Sequence, residues 1–205
     1  MRYKLLVEAA IKVLPASGQD RAIAIPTAGG YLVAVADGAG GTGGGAAAAE
    51  RLVAALTKLT QGAASRDWFA ALCTFDDELS ARRSSGQTTG VVAFVDDNRV
   101  VGASVGDSSA WLISTTGDVS DLTALQRRKP LLGSGEALPV EFEAEHPGGR
   151  LLLATDGLTK YALPERILSL AAKGTVVEAL DALANCVRLP SGGLQDDVAI
   201  VLVSA

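Results

Sequence analysis

The sequence contains little of what several common kinds of functional site require. Its 205 residues include one histidine and two cysteines, and aromatic residues make up 4% of the chain. Two cysteines are too few for a disulfide framework, so both are expected to be reduced thiols. With so few nitrogen and sulfur ligands, any metal site in this chain should be built from oxygen.

Charge and hydropathy exclude two further classes of protein. The net charge is −5 at pH 7, whereas a nucleic-acid surface needs a basic face. No segment has the order of a signal peptide, and the longest uncharged apolar region, 22–36, is interrupted by Pro26 and two glycines. We therefore expect a cytoplasmic protein that binds neither nucleic acid nor a membrane.

The apolar pattern predicts a mixed fold in one domain spanning residues 1–205. Hydrophobic residues make up 48% of the chain, enough for a large aliphatic core. Strands grouped apart from paired helices indicate the α+β class. Strands are predicted over 5–13, 20–25, 31–36, 88–95, 99–105, 110–114, 140–144, 151–155 and 198–203, and helices over 46–59, 66–83, 164–172 and 176–187.

Aspartates stand beside four of these predicted strands, at the point where the apolar run ends or begins. They are Asp37, Asp107, Asp156 and Asp196. Carboxylate oxygens suit hard divalent cations, and the glycines after Asp37 and Asp156 let a backbone approach a ligand closely. Asp197 follows Asp196 directly, and successive side chains of a strand point to opposite faces. We therefore expect Asp196 to be the ligand and Asp197 a structural neighbour.

Two patterns leave other interpretations open. The glycines 38, 40 and 43 also fit the dinucleotide-binding fingerprint. That fingerprint needs an acidic residue about 20 positions further on, at the end of a second strand, whereas this region is predicted as helix and loop. The basic run 127–129 is typical of a solvated loop, or of a loop near a substrate entrance.

The order of the motifs resembles the protein phosphatase 2C family of metal-dependent serine/threonine phosphatases, over nearly the whole chain. The resemblance implies a four-layer αββα sandwich of two antiparallel sheets flanked by helices, with two Mn²⁺ or Mg²⁺ ions at one edge. The matching pieces are Gly18-Gln-Asp-Arg21, Val35-Ala-Asp-Gly-Ala-Gly-Gly41, Ser85-Gly-Gln-Thr-Thr89, Val105-Gly-Asp-Ser108, Leu152-Leu-Ala-Thr-Asp-Gly-Leu158 and Gln195-Asp-Asp-Val198.

The resemblance also implies a role for each matching residue. Asp37 would bridge the two ions, and the Gly38 carbonyl would bind one of them. Asp156 and Asp196 would complete the protein ligands. The two remaining matches are Asp20, which would hold a metal-bound water, and Asp107, which could bind a third, weaker ion.

The implied activity is hydrolysis of phosphoserine or phosphothreonine in a protein, by a monomer that opposes a serine/threonine kinase. Three departures from the family pattern favour an alternative, a pseudophosphatase that binds phosphoproteins or acts as a scaffold. Ala39 stands where the family often has a histidine that protonates the leaving group. Gln19 stands where the family usually has an acidic residue before the aspartate, and Pro15 stands where it has the arginine that binds the substrate phosphate. Lys12 is the candidate substitute for that arginine.

Overall fold

The computed structural model describes residues 8–82, 86–145 and 148–204. Positions 5–7 of the first predicted strand, position 83 of the second predicted helix and Ser85 of the third motif lie outside the described residues. The strands are β1 Glu8–Leu14, β2 Arg21–Thr27, β3 Gly30–Ala36, β4 Gly90–Val95, β5 Arg99–Val105, β6 Ser109–Ile113, β7 Val119–Asp121, β8 Val140–Glu145, β9 Arg150–Ala154 and β10 Val198–Ser204. The helices are α1 Gly45–Thr57, α2 Trp68–Ser80, α3 Asp156–Thr159, α4 Pro164–Ala171 and α5 Val176–Cys186.

The strands form two antiparallel sheets of five strands each. One sheet has the order β1-β10-β9-β6-β7 and the other the order β2-β3-β4-β5-β8. Helices α1 and α2 cover the outer face of the β2–β8 sheet, and α4 and α5 cover the outer face of the other. The expected four-layer αββα sandwich of the α+β class is confirmed.

Strands that lie between a helical layer and the opposite sheet are apolar on both faces. Strand β4 is buried at every residue, and β3 and β10 are buried over most of their length. This explains why their sequences are continuous apolar runs, because alternation appears only where one face meets water. One core fills the space between the sheets, with valines from both sheets and leucines from β9.

Local signals set the helix ends close to their predicted positions. Helix α2 begins two residues later than predicted, because Asp67 caps it by accepting a hydrogen bond from the Ala70 amide at 2.8 Å. Helix α5 begins with a capping box made by Thr175 and Glu178. Among the strands of the described residues, β7 alone was not predicted from the sequence, and its three residues are all exposed.

The topology contradicts the dinucleotide interpretation. Strand β3 pairs antiparallel with β4, whereas the fingerprint belongs to a parallel strand–helix–strand unit. Glycine is required at position 38 for packing, because a Cβ there would overlap the backbone of Gly45, where α1 begins. Within the described ranges, the helices are too short or too polar to cross a membrane.

Candidate metal centre

Strand registers bring the aspartates of separate motifs to one end of the sandwich. Arg21 lies opposite Ala36, so Asp20, directly before β2, and Asp37, directly after β3, are side by side. Ala154 lies opposite Ile200, so the end of β9 that leads to Asp156 meets the start of β10, just after Asp196 and Asp197. Gly90 lies opposite Val105 at the same end, where β5 leads to Asp107.

Two threonines fix the backbone of Asp37. The Asp37 amide donates to the Thr89 hydroxyl at 2.9 Å, and the Asp37 carbonyl accepts from both the Thr89 amide and the Thr88 hydroxyl, each at 2.9 Å. The Thr89 hydroxyl also shares a hydrogen bond of 2.7 Å with the hydroxyl of Ser108. The motif containing Thr88 and Thr89 therefore positions Asp37 and ties it to the turn that carries Asp107.

A second threonine contact links the Asp156 motif to the last strand. The Thr155 hydroxyl accepts a hydrogen bond of 2.9 Å from the Ala199 amide, and the Thr155 amide donates to the Ala199 carbonyl at 3.0 Å. A Cβ at Gly157 would overlap the carbonyl of Asp197, so only glycine allows this close approach. The role of Thr155 was not predicted, although the sequence places this residue directly before Asp156.

Asp197 has the structural role expected of it, and it fills this role through hydrogen bonds. Its buried carboxylate accepts hydrogen bonds from the amides of residues 16–19 and from the Ser17 hydroxyl. Burial alone would raise the pKa of the Asp197 carboxyl, but the hydrogen bonds from Ser17, Gln19 and Gly18 outweigh it and lower the pKa to about 2. Asp197 thereby holds the loop that leads into Asp20.

The carboxyl groups of Asp20 and Asp37 are buried close to other carboxylates. Asp20 is 2% exposed, and neither of its carboxylate oxygens has a hydrogen-bond partner among the described residues. Burial, and then the charge of Asp37, raises the pKa of Asp20. Burial, and then the charges of Asp156 and Asp196, raises the pKa of Asp37. Such a cluster is costly unless cations offset its charge.

The carboxylate oxygens of the cluster are the type of ligand that a hard divalent cation prefers, but they do not surround a single ion position. In the part of the chain that the structure describes, no three histidine, cysteine, aspartate or glutamate side chains lie close enough together to hold an ion by themselves. Mg²⁺ and Mn²⁺ commonly take few protein ligands and keep several waters, so oxygen donors in this loose arrangement suit them. The unpartnered oxygens of Asp20 are available to such waters.

Two basic side chains, those of Arg128 and Lys160, act on the carboxylates at this end of the sandwich. The Nε atom of Arg128 is 2.7 Å from an oxygen of Asp107, and the Arg128 side chain remains 74% exposed. Burial, and then the charge of Asp107, raises the pKa of Asp156, while Lys160 and Arg128 act in the opposite direction. Of the two interpretations of the basic run 127–129, this contact favours the one that puts it near a substrate entrance.

The structure gives Lys12 a partner outside the cluster. Its Nζ atom lies 2.7 Å from Asp181 on α5, in the helical layer that covers the sheet. The charge of Lys12 is therefore offset by a carboxylate of the helical layer. The candidate substitute for the missing phosphate-binding arginine is therefore better sought in Arg128 or Lys160.

Comparisons with known proteins agree with this arrangement. The sequence model of the family described as Stage II sporulation protein E (SpoIIE) matches residues 27–205. No curated protein matches the chain. A bacterial serine phosphatase of known structure superposes with a TM-score of 0.83 at 20% identity, covering 97% of this chain and 98% of that one.

Two further solved structures were determined with metal ions bound. The catalytic domain of the serine/threonine protein phosphatase PstP, in complex with two manganese ions, has a TM-score of 0.79 at 23% identity, and 97% of each chain is covered. RsbX in complex with magnesium has a TM-score of 0.74 at 21% identity, covering 99% of this chain and 97% of that one. At these identities the likeness establishes the fold, which is that of the phosphatases the sequence resembles.

Proposed function

We propose, from the premise that the chain belongs to the SpoIIE family, that it is a metal-dependent phosphatase of phosphoserine and phosphothreonine in proteins. The observation that carries the proposal is the buried group of mutually repelling carboxylates around Asp37. Burying several carboxylates close together costs free energy, and bound cations at this end of the sandwich would offset that cost. The manganese of PstP and the magnesium of RsbX support the choice of ions.

We propose that Asp37, Asp156 and Asp196 hold two Mn²⁺ or Mg²⁺ ions, together with the carbonyl of Gly38. Asp107 would be available to a third ion when Arg128 releases it. When bound, such ions supply a water of lowered pKa as the nucleophile and offset the charge on the phosphoryl oxygens. No protein nucleophile is then required, in keeping with the raised thiol pKa values of Cys73 and Cys186, both caused mainly by burial.

The chain's own residues would position the reactants. Asp20, buried and without a hydrogen-bond partner in the described ranges, would accept a hydrogen bond from a water in the site. The hydrogen bonds that the Asp37 backbone forms with the hydroxyls of Thr88 and Thr89 would keep Asp37 in place as the charge in the site changes. Arg128 and Lys160 would attract the substrate phosphate, since a dianion approaching a carboxylate cluster needs cations at the entrance.

The proposed substrate is a phosphorylated protein rather than a small phosphate ester alone. Within this proposal the chain acts as one catalytic domain and as a monomer, in the cytoplasm, against a serine/threonine kinase. The alternative is a pseudophosphatase, and the observation that favours it is the residue pattern of the site. Ala39 offers no proton to a leaving alcohol, and Pro15 offers no charge to a phosphate.

One experiment separates these two functions. Phosphate release from a phosphothreonine peptide is measured with Mn²⁺, with Mg²⁺ and with a chelator. Activity that depends on the ion and disappears in the Asp37→Asn variant is expected. A wild-type protein that binds Mn²⁺ and the phosphopeptide but releases no phosphate would instead establish the pseudophosphatase.

A further inference from the structure

A groove runs between α1 and α2 on the outer face of the β2–β8 sheet, on the helical layer rather than at the aspartate cluster. It consists of two adjoining hollows with volumes of about 830 Å³ and about 210 Å³. They share Ala55 and Lys58 of the α1 side with Phe75 and Glu78 of α2. We call this feature the α1–α2 groove.

Small side chains create the α1–α2 groove. Ala54 and Ala55 line it on α1, and Ala70 and Ala71 line it on α2, so the helices do not fill the space between them. The floor is apolar, because Leu59 is partly buried there and Phe75 is 8% exposed. Each helix has 13 residues, which corresponds to a length of about 20 Å.

The banks of the groove carry an excess of positive charge. The lining includes the four cations Arg51, Lys58, Arg66 and Arg82, against the two carboxylates of Asp67 and Glu78. One of these carboxylates, that of Asp67, is already the N-cap of α2. Among the described residues, the four cations form no salt bridge. This local sign is opposite to the net charge of −5 of the whole chain.

We propose that the α1–α2 groove binds an acidic amphipathic helix of a partner protein. An apolar floor between two helices receives the apolar face of a third helix, and alanines allow it to approach closely. Acidic residues on the edges of that helix would meet the cations at both ends and in the middle of the groove. The groove length fits three to four turns of helix, about 13 residues. This proposal does not depend on the catalytic function.

The test uses two labelled synthetic peptides of about 14 residues, each with leucine at positions i, i+3, i+4 and i+7 of a helix. One peptide has glutamate at the remaining positions and the other has lysine. Fluorescence anisotropy measures the binding of each peptide to the full chain. We expect the acidic peptide to bind at least tenfold more tightly than the basic one, with an affinity that falls as salt is raised.

Variants locate the binding site. Lys58→Glu should weaken the acidic peptide at least tenfold by reversing a central charge, and Ala71→Glu should do so by filling the floor. The matched controls are Lys173→Glu and Ala172→Glu, two exposed positions next to α4 on the other helical layer, which should change binding less than twofold. Circular dichroism verifies that each variant is folded, and Lys58→Glu, at an exposed position, remains informative if Ala71→Glu is not.

Three results would overturn the proposal. The acidic peptide could bind no better than the basic one, or Lys58→Glu could behave like Lys173→Glu. The third result concerns a second copy of the chain as the occupant. In that case sedimentation velocity would detect a dimer that Lys58→Glu dissociates, and the peptides would compete with dimer formation.

Discussion

The carboxylate of Asp197 accepts a hydrogen bond of 2.6 Å from the Ser17 hydroxyl, although 180 positions separate the two residues. The same carboxylate accepts from the four amides of residues 16–19, so the last strand holds the loop that precedes Asp20. One buried charge therefore organises the loop that delivers a second buried carboxylate to the site.

Asp197→Asn should destabilise the fold as well as disturb the site. An asparagine offers one uncharged oxygen to donors that now share a carboxylate, and its NH₂ group opposes the amides. We expect a loss of about 3 kcal/mol in the free energy of unfolding, because buried hydrogen bonds to a charged group are lost. Urea denaturation measures the loss. Asp181→Asn, which breaks only the exposed pair with Lys12, should cost less than about 0.5 kcal/mol.

Without divalent ions, the free energy of unfolding should decrease as the pH rises from about 4 to about 8. Burial and neighbouring charge raise the pKa of Asp20 from 3.8 to about 8 and that of Asp37 to about 7. A carboxyl whose pKa is raised by folding stabilises the folded state fully below 3.8, and the effect is lost as the pH rises through the folded pKa. Urea titrations in a chelator at pH 5 and pH 8 measure this slope.

Two additions test the cause of that slope. Asp20→Asn should make it shallower, because one of the two raised groups is removed. Millimolar Mn²⁺ should raise the stability at pH 8 more than at pH 5, because the ion binds the ionised carboxylates of the folded state. A slope that neither Mn²⁺ nor Asp20→Asn alters would show that the carboxylate cluster is not its origin.

Asp37→Asn should abolish phosphate release and raise the melting temperature of the metal-free protein. The substitution keeps the shape of the side chain but removes a charge that repels Asp156 and Asp196. It also removes most of the stabilisation by Mn²⁺, because the proposed bridging carboxylate is gone. Calorimetry with and without Mn²⁺ measures both effects. Asp118→Asn, in an exposed turn, is the control and should respond to Mn²⁺ as the wild type does.

The apolar pattern predicted the α+β class, and the family resemblance implied the four layers. Continuous apolar runs mark strands covered on both faces, and each candidate aspartate adjoins such a run, so the strand registers bring them together. Strand β7 was missed because its three exposed residues carry no apolar pattern. The ion-pair partners of Lys12 and Arg128 were not predictable from the sequence, because they depend on how the layers pack and on the conformations of two long side chains.

Arg128→Ala should raise the KM for a phosphopeptide about two- to fivefold, the range expected for one exposed charge interaction. The guanidinium lies at the carboxylate cluster, where it would attract the phosphate, whereas its loss should leave the fold intact because the side chain is 74% exposed. Arg127→Ala, at the neighbouring exposed position, is the control. Steady-state kinetics at fixed Mn²⁺ should show a change in KM only for Arg128→Ala. Equal effects of the two variants would mean that only the overall charge of the loop matters.

Ala39→His should increase the hydrolysis of a phosphoserine peptide but hardly change that of an aryl phosphate. Position 39 adjoins the Asp37-Gly38 turn, and a histidine there could protonate the alkoxide that leaves from a serine. A phenolate leaves without such help, so the wild type should already prefer the aryl substrate. General acids typically contribute roughly 10²–10⁴-fold where they are needed, so a gain of about tenfold or more on the peptide is expected. The gain should follow the histidine's own protonation and decline above about pH 6.5. Equal gains on both substrates, or none on either, would show that water or another residue already supplies the proton.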